Sequence, residues 1–190
     1  MGVIVQVRAP SGELVSIDGV ILRACSPVLD GILGDGDASQ PQIIDMSDAE
    51  SDESLTLFLQ LASLTSHKYG GEPWTAEQTA ENAPSVMPLI HKYDAKGLLA
   101  IVQQGVNEYP SSESLQALIK YRGSEDDDGS WISTDALDFL LRDMSWKQQP
   151  RRRTPFDEQD ATLKELPTPL LRRLLLHVLN DHRFRIEKYL

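Results

Sequence analysis

Cysteine is almost missing from this chain. The only one is Cys25, and a single thiol makes neither an internal disulfide nor a zinc site. A protein without disulfides suits a reducing compartment, so a cytoplasmic or nuclear location is expected. Long apolar runs are missing too. Nothing approaches the roughly 18 consecutive apolar residues of a membrane-crossing helix, and no membrane partner is expected. The opening Met1-Gly2-Val3-Ile4 has no basic flank and reads as the approach to a strand, not as a secretory signal.

The signatures of common catalytic machinery are also lacking. There is no Gly-x-Ser-x-Gly elbow, no Gly-x-x-x-x-Gly-Lys phosphate loop and no His-Glu-x-x-His zinc helix. The histidines (His67, His91, His177, His182) are scattered, and His177 and His182 are five apart, on different faces of a helix. The expectation is therefore a non-enzymatic protein with no cofactor and no metal. Positive charge is scarce in most of the chain. Residues 1–150 carry a balance of −14 and residues 151–190 a balance of +3, within a total of −11. An acidic body repels phosphate backbones, so nucleic acid is not an expected partner.

The hydrophobic pattern describes an α+β chain. Val3 to Val7 and Leu14 to Ile17 are short apolar runs around Pro10-Ser11-Gly12, a strand hairpin. Ile17 to Leu33 then reads as two short helices broken at Ser26-Pro27. Asp18 is placed to cap the first, which ends near Cys25. Ser26 offers a hydroxyl to free amides of the second helix, and Pro27 suits its first position. Val28, Leu29, Ile32 and Leu33 share one face at helical spacing. Ile43-Ile44 with Met46 forms a third strand. Leu55, Phe58, Leu59, Ala62 and Leu64 make a helical stripe entered through acidic residues. After a polar loop with Gly70-Gly71 and Pro73, Val86, Leu89, Ile90 and Tyr93 give another helix. Leu98, Leu99, Ile101, Val102 and Val106 give the next.

The order of these elements resembles the BTB/POZ domain. The resemblance rests on Ile21-Leu22-Arg23-Ala24-Cys25-Ser26-Pro27-Val28-Leu29 through Leu33, on Ile43-Ile44-Asp45-Met46-Ser47-Asp48, and on Leu89-Ile90-His91-Lys92-Tyr93-Asp94-Ala95-Lys96-Gly97-Leu98-Leu99. It covers Val3 to Asn107 and implies a small β-sheet packed with helical hairpins over residues 1–109, followed by an all-α extension. It also implies an intracellular eukaryotic interaction module: an adaptor or scaffold that bridges substrates to a cullin-RING ubiquitin ligase or forms homo-oligomers. Its expected protein-interaction residues are Leu29, Ile32, Leu33, Met46 and Tyr93. The Skp1 branch of the same fold is the alternative. Val7 to Gly19 and Tyr93 to Leu99 are similar to it, and it implies F-box-type partners.

Beyond Asn107 the pattern is helical. Residues 110–147 read as a helical extension with Leu115, Leu118 and Ile119, then Ala136, Leu137, Leu140, Leu141 and Met144. Residues 148–161 are a Pro/Arg-rich linker holding Arg151-Arg152-Arg153. Residues 162–190 contain an amphipathic helix with Leu163, Leu166, Leu170, Leu171, Leu174, Leu175, Val178 and Leu179, which is similar to a short BACK-type segment. Packing on the body is its expected role, with a partner-docking face as the other reading. Ser124 to Asp135 approaches a calcium loop through Asp126, Asp128, Gly129 and Asp135. However, Ser124 replaces the first carboxylate and Asp135 the bidentate Glu, so a solvated acidic turn is expected instead.

Overall fold

A tight turn through Pro10-Ser11-Gly12 joins β1 (Ile4–Arg8) to β2 (Leu14–Asp18). Gly12 takes φ +87°, a left-handed value that disfavours side-chain-bearing residues. In this computed structural model, residues 3–34, 42–65, 72–122, 130–146, 168 and 170–177 are described. The strands run antiparallel, with Ile4 opposite Asp18 and Arg8 opposite Leu14. Val5, Val7 and Ile17 point into the core while Ile4, Arg8 and Leu14 stay exposed, the two-residue alternation of a half-buried sheet.

Asp18 ends β2 and begins α1 (Gly19–Cys25), its carboxylate accepting the Val20 N–H at 2.9 Å. Ser26 is extended (φ −148°, ψ 124°) and separates α1 from α2 (Pro27–Gly34). The chain returns as β3 (Ile43–Asp45), parallel to β1, with Val7 beside Ile44 and Arg8 beside Asp45. The sheet order is β2-β1-β3. α3 (Asp52–Leu64) starts at Ser51, whose hydroxyl accepts the Ser54 N–H at 3.0 Å, and Asp52 and Glu53 occupy its first turn. The fold is thus α+β, mostly helical, around a three-stranded sheet.

α4 (Ala76–Lys92) begins well before the Val86 stripe that signals it in the sequence. A capping box sets its start: Thr75 Oγ1 accepts the Gln78 N–H at 3.1 Å, and the Gln78 side chain accepts the Thr75 N–H at 3.0 Å. The first two turns bury small residues, Thr79, Ala80 and Ala83, which leave little hydropathic trace. Pro84 and Pro88 lie inside the helix, although each removes one backbone bond. α4 ends in a Schellman turn. The Ala95 N–H donates to the Ile90 carbonyl at 2.9 Å and the Asp94 N–H to the His91 carbonyl at 3.2 Å, with Asp94 at φ +47°.

α5 (Lys96–Glu108) crosses α4 closely at Gly105. A Cβ there would lie 2.6 Å from Thr79 Cβ and 3.0 Å from the Ala76 carbonyl oxygen. The helical extension continues the same hydrophobic cluster. α6 (Ser112–Arg122) buries Leu115 and Leu118. α7 (Thr134–Trp146) buries Ala136 and Leu137, and α8 (170–177) buries Leu170 and Leu174. Asn107 ties the extension down. Its side-chain amide donates to the Trp131 carbonyl at 2.7 Å and accepts the Ser133 N–H at 2.7 Å. His177 and Asp138, 2.7 Å apart, link α8 to α7. The acidic turn around Asp126 and Asp128, the linker at 148–161, and Leu163, Leu166, Val178 and Leu179 lie outside the described residues.

The Gly105 contact sets a clear expectation. Gly105→Ala adds about 1 kcal/mol of helix propensity but overpacks the crossing by about 1–3 kcal/mol. Urea unfolding should therefore show a net loss of stability, opposite in sign to an exposed Gly→Ala change such as Gly97→Ala, where no atom lies near the added Cβ.

Candidate functional site

The break between α1 and α2 is a built corner. Ser26 is buried, and its hydroxyl works in two directions. It accepts the Leu29 N–H at 3.1 Å, capping α2, and it donates to the Tyr93 carbonyl at the end of α4. One side chain thus fixes where α2 starts and how it seats under the α4–α5 turn. Tyr93 packs on Phe58 of α3, ring centroids 6.1 Å apart, so three helices meet there. Arg23 closes the far end of α2, donating to the Leu33 carbonyl at 2.8 Å and to Asp30 at 3.2 Å. Sequence reasoning missed this arginine, because its partners lie seven and ten residues away on another helix.

The residues expected at an interaction surface divide sharply. Leu29, Leu33, Met46 and Tyr93 are core residues, and Leu29 and Met46 are wholly buried. Ile32 is the exception, 46 % exposed, and Val28 beside it is 41 % exposed. The single face expected for Val28, Leu29, Ile32 and Leu33 is therefore two faces. Leu29 and Leu33, four apart, turn inward, and Val28 and Ile32, also four apart, turn outward. Neighbouring residues of a helix lie about 100° apart around its axis, so one row of this eight-residue helix packs inward and the adjacent row meets solvent.

A second concave feature lies on another side of the fold. A cleft of about 450 Å³ opens between β2 and α3, lined by Val15, Ser16 and Ile17 on one wall and Leu59, Gln60 and Leu64 on the other. Glu72 and Trp74, from the approach to α4, form its end. Trp74 escaped the sequence reading because it sits in a polar stretch. Its signal was an aromatic one residue before the Thr75 cap.

The titratable groups near the Ser26 corner are tuned by packing. Burial pushes the Cys25 thiol up to about 11, against a partial pull down from its own backbone, and its Sγ donates to the Leu22 carbonyl at 3.3 Å. A thiol so placed is a small core hydrophobe and a poor nucleophile at neutral pH. Burial also raises Tyr93, opposed by neighbouring Lys92. Burial pulls the Lys92 ammonium down, but its hydrogen bond and ion pair with Asp48, together with Tyr93, outweigh this and leave it raised. Among the described residues, no three His, Cys, Asp or Glu side chains gather as a metal ion would require, and no helix is long and apolar enough to cross a membrane. His91 lies against Tyr121 with centroids 5.8 Å apart, and the marginal His177–His182 pair is only half described.

Two outcomes follow. Ser26→Ala removes a helix cap and leaves the buried Tyr93 carbonyl without its donor, a combined loss of about 2–4 kcal/mol in chemical denaturation. For Cys25 the folded value lies above the ordinary 9.0, so its contribution is full below pH 9 and is lost as pH rises through about 11. Wild type should therefore lose up to about 3 kcal/mol more than Cys25→Ala over that window, followed by melting temperature. A disulfide reagent at pH 8 should label Cys25 only after denaturant is added.

Compared with known proteins, the chain matches no family model, no curated protein and no solved structure.

Proposed function

We propose that this chain is a non-enzymatic protein–protein interaction module of the BTB/POZ type. In this reading it acts in the cytoplasm or nucleus as an adaptor or scaffold that offers a rigid surface to a cullin or to a second copy of itself. The observation that carries the reading is the Ser26 break seated under the α4–α5 turn. It holds α2 so that Val28 and Ile32 are presented outward while Leu29 and Leu33 anchor the helix. The hairpin, the capped helix pair and the parallel return strand follow the order that the sequence motifs imply. Affinity in such modules comes from a few apolar anchors on a fixed frame, not from total area. Exposed Val28 and Ile32 on a helix capped at both ends meet that description.

The test separates surface from core on one helix. Ile32→Asp should leave stability within about 0.5 kcal/mol of wild type, as exposed substitutions do, whereas Leu29→Ala should cost about 2–5 kcal/mol. Light scattering and affinity capture against a panel of purified cullins then read function. Capture or self-association that Ile32→Asp abolishes supports the proposal. A strict monomer that captures no cullin overturns the adaptor assignment.

A further inference from the structure

The cleft between β2 and α3 shares no lining residue with the Val28–Ile32 surface, so what it binds is a separate question from the adaptor reading. Its volume of about 450 Å³ is in the range of ligand sites, about 300–1,000 Å³. Three consecutive residues of β2 line it. Side chains of a strand alternate between faces, so a cleft touching Val15, Ser16 and Ile17 together runs along the strand's edge.

The register shows what that edge offers. The Gly19 N–H donates to the Val3 carbonyl at 2.8 Å and the Ala9 N–H to the Glu13 carbonyl at 2.8 Å. These bonds bracket the ladder, so Ile17 and Val15 exchange bonds with Val5 and Val7. Leu14 and Ser16 therefore direct their N–H and C=O groups away from β1. β2 ends the sheet, and among the described residues no strand pairs with this edge. β2 contains no proline, and its one charged residue, Asp18, is buried with its carboxylate on the Val20 N–H, so neither of these usual means of discouraging strand addition acts on its exposed edge.

Charge selects the occupant. Among the described residues that line it, the one charged side chain is the carboxylate of Glu72, and the chain as a whole carries a net charge of −11. A second copy paired edge to edge along β2 would bring Glu13, Asp18 and Glu72 of the two copies together at this edge, an electrostatically unfavourable match. An acidic peptide meets the same repulsion. We propose that the cleft is a peptide-binding site in which a basic, extended segment of a partner protein adds to β2 as a fourth strand. Alternate apolar side chains of that segment enter between Leu59, Leu64 and Trp74, and its Lys or Arg side chains face Glu72. Main-chain bonds to Leu14 and Ser16 give affinity, and the cleft and Glu72 give selectivity.

The probe is a blocked octapeptide of alternating Lys and Val, titrated calorimetrically into the full chain. Amide hydrogen exchange is followed at Ser16. Binding with new protection at the Ser16 amide is expected, weakening at least tenfold with Glu72→Lys and with added salt, and unchanged with Ile32→Asp. Methylating the peptide's backbone nitrogens should abolish binding without altering the protein, so the test does not depend on a variant folding. No binding at millimolar peptide, equal binding of a control octapeptide with Glu in place of each Lys, or indifference to Glu72→Lys overturns the proposal. So does protection at Ser16 without peptide in a particle of twice the mass, because the edge then belongs to a second copy.

Discussion

A buried hydroxyl at Ser26 is the contact on which the rest of this architecture depends. A serine between two short helices has its own amides to cap, and here it also reaches sixty-seven residues along the chain to the Tyr93 carbonyl. That carbonyl belongs to the last turn before Asp94, where the backbone turns left-handed and swings α5 back along α4. The two breaks in the helical framework are therefore fastened to each other. Phe58 packs on Tyr93 beside the joint, and Leu29 and Leu33 bury the inner face of α2. Neither seven- nor eight-residue helix would persist alone, since isolated helices shorter than about 12–15 residues are marginal in water. They are held by what they pack on.

Electrostatics divides the molecule in a second way. The described residues carry more acidic than basic side chains, some of them joined in local pairs such as Lys92–Asp48 and Arg23–Asp30. Exposed pairs of this kind contribute little to folding. The acidic field acts instead on what approaches, favouring cationic partners. The apolar surfaces at Val28–Ile32 and at the β2 edge lie within that field.

Much of the fold was legible because its signals were local. Asp18, Ser26-Pro27 and Pro10-Ser11-Gly12 each dictate their own geometry through a cap, a fixed φ or a turn, and each behaves accordingly. What was not legible depended on neighbours distant in sequence. The start of α4 was hidden because its buried residues Thr79, Ala80 and Ala83 are small, and Gly105 presses close on Thr79, so the tightest contact left the faintest hydrophobic trace. The residues expected at an interaction surface divide between core and surface for a related reason. Spacing puts Val28, Leu29, Ile32 and Leu33 on one half of a helix, but only the packing of α2 on the body decides which pair is buried. Leu29, Leu33, Met46 and Tyr93 went to the interior, and the Arg23 clasp and the Trp74 wall required the third dimension to be seen.

Asn107 stands just before the point where the motif-bearing part of the sequence gives way to the helical extension. Its amide group is committed on both sides to Trp131 and Ser133, and its backbone carbonyl accepts the Ser133 hydroxyl at 3.3 Å. Leu115 and Leu118 meanwhile lie in the same cluster as Met87 and Ile90. A chain trimmed at residue 109 would bare that oily flank of α4 and strand three polar groups of one asparagine. The later helices are thus the lid of the body, not a passenger.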